Sequence, residues 1–262
     1  MKQITVSLMP DYAAYGLSDH GEASLTLMIH DTQPERVFPT VIAVPGGCYS
    51  RCSRREGEPA AVRFYSHGYN AAVLEYSVIN KAFPTALLEL CEAVKYIREH
   101  KEELCSTGEV IVTGFSAGGH LTASLGVYSD MYGGDIVRPD KLILCYPVIT
   151  SGEFTHAESA ANIAQTPELL DVVSLEKHIT SSFPPCFIWH CADDSTVPVQ
   201  NSLLLAERLS AEKIPYELHI FPKGGHGIAM CDITTVRDGN YEKYINSTCA
   251  QWFELALDWL NK

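Results

Sequence analysis

Long apolar runs are missing from this 262-residue chain. None approaches the ~18 residues that a membrane-spanning helix needs. The first ten residues, Met1 to Pro10, carry a single lysine and lack the apolar core of a signal peptide. Basic charge is scarce: 19 Lys and Arg stand against 32 Asp and Glu, a net charge of −13. Neither a phosphate backbone nor an anionic membrane should attract such a molecule as a whole, so nucleic-acid and membrane partners are excluded. There is no C-x-x-C pair, and the nine cysteines are odd in number and scattered from Cys48 to Cys249. They read as free thiols, a usage that fits a reducing cytoplasm better than a disulfide-stapled secreted chain. No H-x-x-x-H motif or clustered His and carboxylate set is evident, so neither a metal nor a cofactor is expected. Repeats, low-complexity tracts and Pro/Gly linkers are also lacking, which favours one domain over residues 1–262.

What is present is a large apolar complement, 46% of residues, enough for a sizeable core. Short β-branched runs alternate with longer amphipathic stretches, the pattern of a mostly parallel sheet with helices on both faces. Two strands, Gln3–Met9 and Ala23–His30, have no helix between them and should form an antiparallel lead-in at one edge. Strands are then expected at Thr40–Val44, Ala71–Tyr76, Glu109–Thr113, Lys141–Tyr146, Cys186–His190 and Tyr216–Phe221, about eight in all. The intervening helices are expected at Glu58–His67, Pro84–Cys105, Ala117–Tyr128 and Val199–Glu212, with a closing helix over Tyr241–Leu260. Residues 149–182 break this rhythm after the sixth strand and read as a small lid-like insertion, with a short helix starting at Thr166-Pro167.

The sharpest local motif is Gly114-Phe115-Ser116-Ala117-Gly118 between a strand and a helix. There G-x-S-x-G forces a tight turn that pushes the serine hydroxyl above the sheet, next to a helix N-terminus whose Ala117 N–H suits a developing oxyanion. The bland alternative is a Gly-rich connection with an N-capping serine. A serine nucleophile needs a base and a carboxylate to orient it. Both follow in chain order: Asp193-Asp194-Ser195-Thr196-Val197-Pro198 after one strand, and Gly224-Gly225-His226-Gly227 after the next. The other histidines, His20, His30, His67, His100, His120, His156, His178, His190 and His219, lack such a setting and read as surface or structural residues. Pro45-Gly46-Gly47-Cys48-Tyr49 ends the first parallel strand, where free N–H groups can face an oxyanion; an ordinary Gly-Gly turn is the alternative. In Arg54-Arg55-Glu56-Gly57-Glu58, Glu56 and Glu58 complement a helix N-terminus while an arginine ties the loop by ion pairing. Alternatively, this cluster stiffens the oxyanion loop just upstream. Tyr49, Tyr76, Phe115 and Met230 adjoin these elements and are candidates to line a substrate pocket, with plain core packing as the alternative for Tyr76 and Phe115.

Together these residues resemble the α/β-hydrolase superfamily, and within it the small bacterial esterases and lipases of the acetylxylan-esterase-like group. The resemblance runs from about Pro39 to the final helix. It is carried by Pro45-Gly46-Gly47-Cys48-Tyr49, Ser53 to Pro59, Val73 to Val78, the serine elbow, Asp194-Ser195-Thr196-Val197-Pro198 and Gly225-His226-Gly227. It implies an α/β-hydrolase fold, Ser116 as nucleophile, His226 as base and Asp194 as orienting acid, with the N–H groups of Gly47, Cys48 and Ala117 as oxyanion hole. Asp193 would then be a loop carboxylate with a structural role. Pro45 stands where many related esterases carry His, and Cys48 where they carry a last Gly.

The expected activity is hydrolysis of short-chain, above all acetyl, esters of small neutral sugars or xylo-oligosaccharides. Two rivals are a serine peptidase for short peptides and a catalytically silent binding protein of the same fold. The expected partner is a small-molecule ester. A homodimer through an edge strand or the closing helix is compatible with the sequence, which shows no seam.

Overall fold

The computed structural model describes residues 1–18, 21–31 and 35–262, so His20 lies outside the described residues. Eight strands make one sheet: β1 (Lys2–Leu8), β2 (Ala23–Ile29), β3 (Phe38–Val44), β4 (Asn70–Glu75), β5 (Ser106–Phe115), β6 (Lys141–Cys145), β7 (Cys186–Cys191) and β8 (Tyr216–Phe221). Their spatial order is β1-β2-β4-β3-β5-β6-β7-β8. β2 pairs antiparallel with both β1 and β4, and every pairing from β4 to β8 is parallel.

The side-chain period of two explains why the sheet can be covered twice. Ile42, Val44, Leu142, Leu144 and Ile188 face one buried layer, while Val41, Ala43, Ile143, Cys145, Phe187 and Trp189 face the other. The first layer is completed by α2 (Thr85–Glu99), α3 (Ala117–Tyr132) and α6 (Gln200–Ala211). On the opposite face lie α1 (Arg54–Tyr65) and α8 (Trp252–Leu260), which contribute Phe64, Trp252 and Phe253. Each such fully buried aliphatic or aromatic side chain is worth roughly 1.5–3 kcal/mol, so both layers matter to stability.

Four helices depart from their expected bounds, α3 by running on from Tyr128 to Tyr132. α1 starts at Arg54 rather than Glu58 and carries Pro59 inside it. α2 ends at Glu99, and the chain turns through Cys105 at φ 47° into a strand that already begins at Ser106. The expected closing helix is broken into α7 (Tyr241–Tyr244) and α8. Asn246 causes the break: its Oδ1 accepts the N–H groups of Thr248 and Cys249, capping a new start instead of continuing the old helix.

Residues 149–182 hold α4 (Ala157–Ile163) and α5 (Pro167–Val172), the latter capped by Thr166 as its sequence suggested. This segment is bonded to the body at several points. Asn201 Oδ1 accepts the N–H groups of Ile149 and Thr150, and Asn162 Nδ2 donates to Cys48 O at 2.7 Å. Among the described residues no helix is long and apolar enough to cross a membrane.

Candidate active site

The parallel strands end on one side, and their following loops carry the residues that chemistry requires. β5 turns into α3 through Ser116, which is held at φ 55°, ψ −118°, a conformation costly for a residue with a side chain. The flanking glycines permit it. A Cβ on Gly114 would lie 2.3 Å from Gly118 O, and one on Gly118 would lie 2.2 Å from Val44 O. The turn is locked by Ser116 N–H donating to Cys145 O and by Val148 N–H donating to Ser116 O.

Ser116 Oγ lies 2.8 Å from His226 Nε2, and His226 Nδ1 lies 2.6 Å from Asp194 Oδ2. With the imidazole neutral, Nδ1–H donates to the carboxylate and Nε2 accepts the serine O–H, the arrangement that lets the ring take a hydroxyl proton. The Asp194 side chain is fully buried. Burial raises its pKa, but hydrogen bonds from His190 and His226, the His226 charge and the Val197 N–H outweigh this and hold the carboxyl well below the usual range. Oδ1 accepts the N–H groups of Thr196 and Val197, which accounts for the D-x-x-V spacing. Asp193 faces elsewhere. Its Oδ1 accepts the N–H groups of Gly224 and Gly225 and so fixes the loop that presents His226.

The loop after β3 is shaped by Gly47 at φ 127°, Cys48 at 60° and Tyr49 at 59°. A Cβ on Gly47 would meet Arg51 O at 2.1 Å, so only glycine fits there. Among the described residues, the N–H groups of Gly47, Cys48 and Ala117 have no protein acceptor. Burial, and then the Glu158 carboxylate, push the Cys48 thiol up, leaving it a protonated neighbour of Ser116.

The interpretation that this cluster stiffens the oxyanion loop holds through Glu56; Arg55 does tie a loop, but to carbonyl oxygens and not through the expected ion pair. Arg55 donates to Thr235 O and Gly227 O, gripping the far side of the His226 loop without an ion pair, and lies over the Tyr244 ring. Glu56 is buried; Oε2 accepts Gly46 N–H at 3.0 Å and Oε1 accepts the Tyr146 O–H at 2.8 Å. Tyr146 in turn accepts Ala229 N–H and sets its ring edge-on to His226, 5.0 Å between centroids.

A cavity of about 460 Å³ opens beside Ser116 and His226. Its walls come from Gly47 and Cys48, from Arg51 to Glu56, from Thr196 and Gly227, and from Arg237, Lys243 and Tyr244. The four apolar pocket candidates do not line it, because each is taken up by packing. Tyr49 donates its O–H to His120 Nδ1, and Tyr76 donates to Pro45 O. Phe115 and Met230 are buried against the α1 and α8 layer.

Sequence reasoning passed over Tyr146 and the second partner of Asp194. His190 Nε2 lies 2.9 Å from Val197 O and 3.2 Å from Asp194 Oδ2, so the buried histidine expected to be structural touches the triad carboxylate. Position at a strand end was the only signal either residue offered. His120 donates from Nε2 to Val173 O, and burial lowers its pKa to about 4. Cys48, His156 and Glu158 bring their ligand atoms within 4.8 Å of one another, three donors that could hold a metal ion although over a hundred residues separate the first from the others.

A serine hydroxyl, imidazole and carboxylate in this order on this sheet define the α/β-hydrolase class. A family model designated BD-FAE matches residues 27–136, and that of the prolyl oligopeptidase family matches residues 86–258. The chain is 40% identical over 207 residues to endo-1,4-beta-xylanase B of Butyrivibrio fibrisolvens, covering 73% of this chain and 33% of that protein. It is 28% identical over 224 residues to the acetylxylan esterase of Xylanibacter ruminicola, covering 82% and 45%. The crystal structure of an acetyl ester-xyloside bifunctional hydrolase from Caldicellulosiruptor lactoaceticus superposes with a TM-score of 0.75 at 34% identity, covering 92% of this chain and 90% of that one. The chain spans between a third and about half the length of the curated relatives it matches. It belongs to the prolyl oligopeptidase family of α/β-hydrolases, in the part of it related to acetylxylan esterases and carboxylesterases.

Proposed function

We propose that this chain is a serine carboxylesterase that removes short acyl groups, acetyl foremost, from sugar-sized alcohols. The carrying observation is the continuous hydrogen-bond chain Ser116–His226–Asp194 opening into a cavity of about 460 Å³, near the N–H groups of Gly47, Cys48 and Ala117, which have no protein acceptor among the described residues. Ser116 Oγ attacks the ester carbonyl as its proton passes to His226 Nε2. The tetrahedral oxyanion accepts hydrogen bonds from Gly47, Cys48 and Ala117, each such donor being worth roughly 10²–10³ in rate. Asp194 stabilises the imidazolium, which then protonates the departing alkoxide. Water attacks the acyl-enzyme with His226 again taking the proton, and the acid leaves as Ser116 is restored. Names of relatives that specify acetyl esters and xylan support the substrate class.

The peptidase reading finds no support in the cavity. Among the described residues Glu56 is its one lining carboxylate, and both its oxygens are engaged, so nothing there would bind a peptide amine. We further take residues 1–262 to act as one domain, since the site draws on β3, β5, β7 and β8 of a single sheet. The nine free thiols favour a reducing compartment such as the cytoplasm. The direct test is turnover of p-nitrophenyl acetate, butyrate and longer esters. Wild type should prefer acetate, and Ser116→Ala and His226→Ala should each lose at least about 10⁴-fold in kcat. Equal rates in all three proteins, or efficient cleavage of aminoacyl-nitroanilides in preference to esters, would overturn the proposal.

A further inference from the structure

Positive charge is scarce in this chain but not at its candidate active site. Of the 19 Lys and Arg, five line the cavity beside Ser116: Arg51, Arg54, Arg55, Arg237 and Lys243. Of the 32 Asp and Glu, only Glu56 does among the described residues, and it is buried with both oxygens committed to Gly46 and Tyr146. A chain with net charge −13 would by chance surround any cavity with excess carboxylate. Here the sign is reversed. Structural demand does not account for the whole cluster. Arg55 works as a tie to Thr235 O and Gly227 O, and Arg237 pairs with Asp238. Arg51, Arg54 and Lys243 are exposed and, among the described residues, have no carboxylate within ion-pairing distance. Asp238 on Arg237 and Glu158 beside Cys48 offset only part of this charge; the remaining like charges repel one another, and an anion entering the cavity relieves that repulsion. A concave, partly low-dielectric site also focuses such a field and raises the local concentration of an oppositely charged substrate.

We infer that the preferred substrate is an ester bearing a carboxylate, which the cations of the α1 turn and of the α7 side hold beside Ser116. This rests on the esterase reading and sharpens it, replacing the neutral sugar ester expected from global charge with an acidic one. The carboxylate can belong to either half of the ester, as in an acetylated uronic acid or in the monoester of a dicarboxylic acid. Both present the same group to the same cations.

Two matched pairs test it with the purified full chain. One pair is the acetylated methyl glycosides of glucuronic acid and glucose, differing in the C6 carboxylate. The other is monoethyl succinate and ethyl butyrate. At low ionic strength kcat/KM for the acidic member should exceed that of its neutral partner by about tenfold in at least one pair, and the responding pair locates the carboxylate. The preference should collapse toward unity in ~1 M salt, where screening is nearly complete. Arg54→Gln and Lys243→Gln should each reduce the acidic-to-neutral ratio severalfold, whereas Lys101→Gln, on the loop between α2 and β5, should leave that ratio as it is. Neutral members turned over as well as or better than acidic ones in both pairs would overturn the inference while leaving Ser116-dependent esterase activity standing. If Ser116→Ala matches wild type on all four esters, the esterase reading fails first and the inference falls with it.

Discussion

Two neighbouring carboxylates do different work because one residue of displacement turns them in different directions. Asp194 is buried against His226 and His190, while Asp193 reaches the backbone of Gly224 and Gly225. Asp194→Asn should therefore lower kcat by about 10⁴-fold, since the imidazole loses the acceptor that fixes its tautomer. Asp193→Ala should cost only between roughly ten- and a hundredfold, because His226 keeps its partners and loses only the support of its loop. Kinetics on p-nitrophenyl acetate separate the two, and equal losses would refute the division. The positions of Ser116, Asp194 and His226 were legible because each depends on a local backbone form that leaves a local mark: glycines packed around the elbow, the D-x-x-V turn, glycines flanking the histidine. Tyr146 and His190 left no such mark, and Glu56 was marked only as a member of the charged cluster beside the oxyanion loop. Glu56 meets Tyr146 across 90 residues of sequence, a contact that nothing in either segment announces.

At the scale of elements, the strands were easier to place than the helix ends. Alternating apolar faces and β-branched runs fix strands internally, whereas a helix end depends on competing partners such as Asn246, whose side chain captures two N–H groups and divides the closing helix. The first helix was expected from Glu58, whereas α1 begins at Arg54 and takes in Gly57, where a side chain would not fit: a Cβ there would meet Val73 at 2.9 Å. α3 carries a consequence for stability. His120 has a folded pKa near 4 against the usual 6.5, so between these values the folded protein binds fewer protons than the unfolded chain. Stability from this group is complete above pH 6.5 and is lost as pH falls toward 4, by up to about 3 kcal/mol. Urea titrations at pH 7 and pH 4.5 should show a steeper loss in wild type than in His120→Gln. Equal pH dependence in the two proteins would exonerate His120.

On the scale of the whole molecule, composition could not describe the site, because net charge averages over a surface on which one cavity carries the opposite sign. The strand count and edge arrangement, by contrast, were readable from the alternation of elements alone. The first turn of α1 has a wider effect. Arg55 holds the histidine loop at Gly227 and Glu56 the oxyanion loop at Gly46, so two halves of the site, contributed by segments far apart in sequence, share one anchorage. Such a shared anchorage should make the two halves fail together, so that neither stays competent after the other has gone. In urea, loss of esterase activity should coincide with the change in tryptophan emission, since Trp189 and Trp252 stack in the layer that α1 completes. Activity vanishing well before the emission changes would mean that the loops loosen independently. Coincidence would mean that this enzyme fails as a single body, with catalytic competence serving as a direct gauge of the folded fraction.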